Sequence, residues 1–217
     1  MSELIKADLH IHTEYSVDCN TPLPRIIERC QEIGIDCIAV ADHGTIEGAL
    51  RMQEIAPFTV IVAEEIRTPH GEIMGIFLKE GIPNGLPLAE TISRIKAQGG
   101  LVGVPHPFDT LRGIGAGNKI LEELVEKIDV IEVFNSRSLF LQASTKAQVF
   151  AQKYDIPGSA GSDAHTLNEI GNAYVEMPEF NGRDDFLQAL RNGKIFGRKS
   201  GLLVHFSSSW TRLKKQF

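Results

Sequence analysis

Histidine and carboxylate side chains recur together at a few points of the sequence, each at the end of an apolar segment. The clearest pairs are His10 with His12 and Asp163 with His165, each two residues apart. Because side chains alternate along a β-strand, residues at this spacing face the same side and can hold one metal ion together. Other candidates of the same kind are Asp42-His43, Glu64-Glu65 and His106.

The donor types indicate a catalytic metal centre. Five of the seven histidines lie at the C-terminal ends of predicted strands or in the turn just after. Imidazole with carboxylate, without a thiolate, favours Zn, Mn or Fe in hydrolysis over a closed structural zinc site. We interpret His70 and His205 as ordinary surface or core residues, and Cys19 has no base paired with it in sequence. The glycine-rich segment 113–118 lacks the dinucleotide-binding spacing, and no GxSxG elbow occurs.

Strand-like and helix-like segments alternate along the chain. Strands are predicted at residues 4–12, 35–41, 58–66, 72–78, 101–105, 129–134 and 156–161. Helices are predicted at residues 22–33 with Thr21 as N-cap, 45–55, 87–98, 119–127, 139–154 and 184–192. This alternation predicts an α/β fold with a mostly parallel sheet, closed or nearly closed into a barrel, with an open doubly wound sheet as the alternative. The histidines then fall at the C-terminal ends of the strands, where such barrels carry their active sites.

Length and composition limit the number of domains, the location and the partners that the sequence allows. The 217 residues, 42% hydrophobic and 23% charged, fit one domain at 1–200 with a tail at 201–217 that either is partly disordered or docks on the domain. No segment resembles a leader or a membrane span. The net charge of −6 disfavours a long duplex nucleic acid as partner. Three cysteines without a CxxC pair favour a reducing cytoplasm.

Four motifs in this order resemble the PHP (polymerase and histidinol phosphatase) superfamily. They are DLHIHT, ADHG, HPF and GSDAH, and the resemblance runs from Asp8 to Gly197. The resemblance implies a distorted, TIM-like (β/α)7 barrel with a metal cluster, commonly trinuclear, at the C-terminal face. It also implies hydrolysis of phosphate esters by a metal-bridging hydroxide, which is a good nucleophile near neutral pH.

Ligands can be carried over from the family pattern. The resemblance implies that His10, His12 and Asp163 bind a first ion, that His106 binds a second, and that Asp18, His43 and His165 bind a third. Glu65 matches the bridging glutamate, with Glu64 as its competitor. Where the family often has another histidine, Glu72 is the expected ligand, and His70 would require a shifted turn. Glu65, Asp163 and His165 are the expected catalytic residues.

Polar residues beyond these ligands are candidates for substrate binding. Arg112, Asn135 and Arg137 follow predicted strands at the same end of the barrel. Either arginine could stabilise charge on a phosphoryl group or be a solvated surface residue, and Asn135 could orient a phosphate or cap a helix. We interpret Glu132, inside a strand, as structural, and Asp109 as a supporting or turn residue.

The leading hypothesis is a small stand-alone phosphoesterase that uses two to three divalent transition-metal ions. Its substrate would be a small phosphorylated molecule or a short oligonucleotide, as a monoester or diester. The alternatives are a histidinol-phosphate phosphatase, a metal-binding interaction module that has lost catalysis, and another metallohydrolase such as an amidohydrolase.

Overall fold

The computed structural model describes residues 4–110, 112–114, 119–201, 211 and 215. Within them the strands are β1 Leu4–Ile11, β2 Cys37–Val40, β3 Thr59–Thr68, β4 Gly71–Ile76, β5 Leu101–Val104, β6 Val130–Asn135, β7 Gly158–Gly161, β8 Ala173–Pro178 and β9 Lys194–Gly197. The helices are α1 Leu23–Ile33, α2 Glu47–Ile55, α3 Leu88–Ala97, α4 Lys119–Glu123, α5 Leu141–Lys153 and α6 Gly182–Arg191. No helix among these residues combines the length and apolar character that a bilayer-spanning segment requires.

The strands form one sheet in the order β7-β6-β5-β4-β3-β2-β1-β8-β9. The sheet curls until β7 meets the C-terminal end of β1. There the amide of His12 donates to the Ala164 carbonyl at 2.9 Å, and the amide of Asp163 donates to the His10 carbonyl at 2.7 Å. The predicted nearly closed, barrel-shaped α/β sheet is therefore confirmed, and its closure joins the His10 strand to the Asp163 segment.

Two parts of the sheet differ from the sequence-based expectation. Strand β4 runs antiparallel to both β3 and β5, because a tight turn ending at Gly71, whose φ is +124°, connects β3 directly to β4. Strands β8 and β9 were not predicted. Strand β8 pairs antiparallel with the N-terminal half of β1, which leaves the other half of β1 to face β7.

Two predicted helix features are wrong. Helix α1 begins at Leu23 and its N-cap residue is Pro22, because the Thr21 hydroxyl donates to the His165 carbonyl at 3.1 Å instead of capping the helix. The helix predicted at 119–127 ends at Glu123, and a short 3₁₀ turn follows at Val125–Lys127. Of the predicted tail at 201–217, only Gly201, Thr211 and Lys215 lie within the described residues. His205 and most of the glycine-rich segment lie outside them.

The hydrophobic core has two layers, and the residues at one end of the barrel are polar. Ile11, Val40 and Val62 belong to the layer between the strands and the helices. Ala39, Ile61 and other side chains fill the lower barrel, together with the buried Phe186 of α6. Close packing of these apolar side chains fixes the strands, and with them the residues at their C-terminal ends.

Candidate metal centre

Glu65 lies at the centre of the cluster at the C-terminal end of the barrel. Its Oε1 is 2.8 Å from Nε2 of His106. Its Oε2 is 3.3 Å from Nε2 of His10 and 3.4 Å from Nε2 of both His12 and His43. One fully buried carboxylate therefore faces four imidazole nitrogens, which the sequence places on three separate strands or turns.

A first group of donors converges beside Glu65. Nε2 of His10 and Nε2 of His12 are 3.2 Å apart. Oδ1 of Asp163 is 3.3 Å from the His12 nitrogen and 3.8 Å from the His10 nitrogen. His10 and His12 share a side because they are two residues apart, and a bulge between Asp8 and Ile11 shifts the register of β1 there.

Asp8 is also two residues from His10, a spacing that would place both on the same side of a regular strand, but the same bulge follows Asp8. Asp8 instead accepts hydrogen bonds from the amides of Ser162 and Gly171, both at 2.9 Å. Its cross-strand partner is Ile38, which belongs to the layer beneath the helices. Asp8 therefore anchors the segment that precedes Asp163, and burial raises its pKa to about 6.

A second group consists of Asp18, His43 and His165. Nε2 of each histidine lies 3.4 Å from an oxygen of Asp18. The other ring nitrogen of each histidine is committed: Nδ1 of His43 donates to the Glu65 carbonyl at 3.2 Å, and Nδ1 of His165 donates to the Asp163 carbonyl at 2.8 Å. These bonds fix the tautomer that leaves Nε2 with a lone pair for a cation.

His106 and Glu72 approach Glu65 from another side. Oε2 of Glu72 is 3.5 Å from Nε2 of His106. His70 is exposed in the turn between β3 and β4, whereas Glu72 is buried. Of the two residues considered for this position, the structure thus brings Glu72 to the cluster.

Glu64 points to the opposite face of β3. Its Oε2 accepts a hydrogen bond from the Ile82 amide at 2.8 Å. Adjacent strand residues face opposite sides, and here only Glu65 of the pair faces the histidines.

Unpartnered polar atoms test whether the cluster fits divalent cations. Among the described residues, Asp163 Oδ1 and Glu72 Oε2 are buried acceptors without a hydrogen-bond partner. Buried polar atoms are normally satisfied, and these two sit where nitrogen lone pairs converge. Among the residues that the structure describes, three overlapping clusters of ligand atoms lie close enough to share a cation: His10 with His12 and Asp163, His12 with Asp18 and His43, and His43 with Glu65 and Glu72. The donor set and its unmet acceptors fit transition-metal ions. Sγ of Cys19 lies 3.4 Å and 3.3 Å from the carbonyl oxygens of His12 and His165, so its single proton is directed at the backbone and the thiol is not a candidate ligand.

The histidines differ in protonation when no cation neutralises the carboxylates. Burial lowers the pKa of His43 to about 3 and that of His165 to about 4. Burial also opposes the charge of His12, but hydrogen bonds with two neighbouring carboxylates outweigh it and raise its pKa to about 9. Nearby carboxylates likewise raise the pKa of His10 well above its usual value, against the effect of burial.

Glu132 supports the centre, a role that differs from the general structural one inferred from the sequence. Its Oε1 is 3.0 Å from Nδ1 of His10. Its Oε2 accepts from the His106 amide at 2.7 Å and from the Asn135 side chain at 2.9 Å. The signal in the sequence is an acidic residue on the inner side of an otherwise apolar strand, Val-Ile-Glu-Val-Phe.

Arg67 is a second residue that sequence reasoning missed. It lies directly opposite Glu72 in the β3–β4 ladder. Its Nε donates to Oε1 of Glu72 at 3.3 Å, and its Nη2 is 3.6 Å from Oδ2 of Asp18. Since Arg67 uses Oε1 of Glu72, Oε2 remains directed at His106.

The three predicted substrate-binding residues lie around Asp163. Nη1 of Arg112 donates to Oδ2 of Asp163 at 2.7 Å, and 28% of the Arg112 side chain is exposed. Arg137 is buried, donates to the Asp163 carbonyl at 3.4 Å and lies 3.5 Å from Glu169. Asn135 is also buried, and its side-chain oxygen accepts from the Arg137 amide at 2.9 Å. Arg112 is thus the member of this set that reaches solvent.

Comparison with known proteins places the fold and these motifs in one family. A PHP domain model matches residues 8–68, and a PHP-associated model matches residues 142–195. An uncharacterized protein of Methanocaldococcus jannaschii is 37% identical over 180 residues, which cover 82% of this chain and 72% of that protein.

Solved structures show the same fold at low sequence identity. A two-domain Bacteroides vulgatus protein that contains a predicted PHP-like metal-dependent phosphoesterase has a TM-score of 0.75 at 17% identity, over 91% of this chain and 66% of that one. A lesion-specific endonuclease of Pyrococcus furiosus has a TM-score of 0.69 at 18% identity, over 99% and 71% of the respective chains. Because both PHP models match the chain, it belongs to the PHP (polymerase and histidinol phosphatase) family.

Proposed function

We propose that this protein is a phosphoesterase that uses two to three divalent transition-metal ions, Zn, Mn or Fe. The observation that carries the proposal is the position of Glu65, whose two oxygens lie 2.8–3.4 Å from Nε2 of four histidines. A buried carboxylate shared among so many nitrogen donors suits adjacent cations better than a structural ion pair.

Each donor group would hold one cation, with Glu65 shared between groups. His10, His12 and Asp163 would bind the first, His106 and Glu72 the second, and the last three donors, Asp18, His43 and His165, the third. Bound cations would supply an activated water and stabilise charge on a phosphoryl group. We assign the main catalytic roles to Glu65, Asp163 and His165: Asp163 belongs to the first group, His165 to the third, and Glu65 is shared between groups.

The arginines around Asp163 suggest how the chain holds a phosphate. Arg112 is partly exposed and fixed by Asp163, so its guanidinium can bind a phosphoryl oxygen without losing its support. Arg137 and Asn135, both buried, would position the Asp163 segment in this role. This arrangement supplies positive charge on the side of the cluster where Arg112 meets solvent.

Metal-loaded protein assayed on bis-p-nitrophenyl phosphate and p-nitrophenyl phosphate tests the proposal. We expect turnover of at least one ester, loss of it with a chelator, and restoration by Mn²⁺ or Zn²⁺. Hydrolysis of p-nitroacetanilide with neither ester cleaved would favour an amidohydrolase. Full metal binding without any turnover would favour an interaction module, and a preference for histidinol phosphate over both esters would favour that phosphatase.

The substrate class follows from charge. We propose a small phosphorylated molecule or a short oligonucleotide, because the net charge of −6 opposes a long duplex. The similarity to a lesion-specific endonuclease makes duplex DNA the specific rival. In an anisotropy titration at physiological salt we expect weak duplex binding, and submicromolar binding would contradict this choice. The three cysteines, all free and buried, support a reducing compartment such as the cytoplasm.

A further inference from the structure

The segment that carries Asp18 belongs to no strand or helix. It connects β1 to α1, and both backbone and side-chain hydrogen bonds hold it: the amide of Glu14 donates to the Thr21 carbonyl at 3.0 Å, and the amide of Ser16 donates to the Thr13 carbonyl at 3.0 Å. The Ser16 hydroxyl donates to Oδ1 of Asp18 at 2.7 Å and accepts from the His43 amide at 3.3 Å. The direction of the Asp18 carboxylate therefore depends on how the backbone at 14–19 is kept in place.

Three backbone carbonyls of this segment point at one atom. Nζ of Lys215 lies 2.7 Å from the Glu14 oxygen, 2.8 Å from the Ser16 oxygen and 2.7 Å from the Cys19 oxygen. An ammonium group has three donors, and here each has an acceptor at hydrogen-bond distance. A second contact joins the same regions, since the Asn20 side chain donates to the Thr211 hydroxyl at 3.4 Å.

A group of carbonyl oxygens that converge on one point can bind a cation. Their negative ends repel one another unless a positive charge lies between them, and rings of backbone carbonyls bind monovalent cations for this reason. Lys215 is distant in sequence and reaches the loop from the C-terminal region. Its ammonium therefore acts as an ion that is tethered to the chain.

We propose that the carbonyls of Glu14, Ser16 and Cys19 form a monovalent-cation cage, that Lys215 is its tethered occupant, and that the occupied cage positions Asp18 towards His43 and His165. Lys215 is a positioning residue in this proposal and touches no substrate. The proposal rests on the proposed function only in treating Asp18 as a cation ligand. It makes the third cation depend on docking of the C-terminal segment.

Two substitutions of the full chain separate a cage from a general docking contact. Lys215→Gly leaves the carbonyls around an open position that a small cation can enter. Lys215→Met removes the charge but fills the space, and Lys153→Met, at an exposed lysine of α5, serves as the control. The readouts are Mn²⁺ stoichiometry and affinity by calorimetry and deuterium exchange of the amides at 14–19. Neither requires turnover, so a failed phosphoesterase assay leaves this test intact.

We expect Lys215→Gly to weaken one Mn²⁺ site about tenfold or more and to speed exchange at 14–19. Ammonium or potassium chloride should reverse both changes, whereas choline chloride at equal ionic strength should not. Lys215→Met should show the same losses without rescue. Unchanged affinity and exchange in Lys215→Gly would overturn the proposal. Losses that no small cation reverses would also overturn it, because docking would then act through other contacts.

Discussion

Two of the three donor groups, called here the inner and the outer half of the metal centre, are built differently. The inner group, His10, His12 and Asp163, is fully buried or nearly so, and its histidines lie at the C-terminal end of β1 and directly after it. The outer group, Asp18, His43 and His165, takes its carboxylate from a loop that side chains and Lys215 hold.

The pKa values of the histidines also differ between the inner and the outer half. The inner histidines have raised pKa values, and His12 reaches about 9, whereas burial lowers those of His43 and His165 to about 3 and 4. The inner group must therefore lose protons to bind a cation, while the outer histidines are already neutral at pH 7. The two properties are therefore separate in this site. The inner half has the more rigid support, whereas the outer half has histidines that can bind a cation without losing a proton.

Glu65 faces both halves, so its substitution should have the largest effect. Glu65→Gln keeps the volume but removes the charge that would hold adjacent cations together. We expect loss of bound metal and a fall in turnover by orders of magnitude. Glu64→Gln, one residue away on the opposite face of β3, is the matched control and should keep most activity. An active Glu65→Gln with an inactive Glu64→Gln would mean that the wrong carboxylate faces the cluster.

Substitution of Glu132, which accepts from His10 and from the His106 amide, should weaken the inner half more than the outer half. Glu132→Gln keeps the shape but removes the negative charge that orients and polarises His10. We expect about 10- to 100-fold weaker binding of one cation, measured by competition with a metal-sensitive dye. Glu126→Gln, an exposed position before β6, should bind as the wild type does. Equal weakening of every ion by Glu132→Gln would contradict a specific link to the inner group.

The inner half should also carry most of the pH dependence. A histidine whose folded pKa is raised stabilises the cation-free fold below its ordinary pKa of 6.5, and that contribution is lost as pH rises towards 9. A cation must displace the same proton, so inner-group affinity should rise between pH 7 and 9 while outer-group affinity stays flat. Calorimetry in buffers of different ionisation enthalpy should show proton release at pH 7. Binding without proton release would show that His12 is neutral there.

The alternation of strands and helices was enough to predict the barrel, because seven apolar segments close one ring. Strands β8 and β9 could not be predicted in the same way. Strand β8, Ala-Tyr-Val-Glu-Met-Pro, is short and alternates buried with half-buried residues, but its place beside β1 depends on β1 being shared between two partners. The residue types alone do not specify long-range pairing of this kind.

The pairing of His10 with His12 was predictable for a local reason, since a spacing of two along a strand places side chains together, and the other candidate ligands followed from the family motifs. The supporting residues could not be predicted in either way. Arg67 meets Glu72 only through the register of the β3–β4 hairpin, and Asp8 turns away from His10 because of a bulge. Both features depend on how strands pair, which the residue types do not specify.

Metal content is the most direct test of the central claim that this cluster is a multinuclear centre. Protein reconstituted with Mn²⁺ or Zn²⁺ and then freed of excess ion should retain two to three ions per chain by elemental analysis. Glu64→Gln should match it, and Glu65→Gln should lose most of the metal. Less than one ion per chain in the reconstituted wild type would contradict the account.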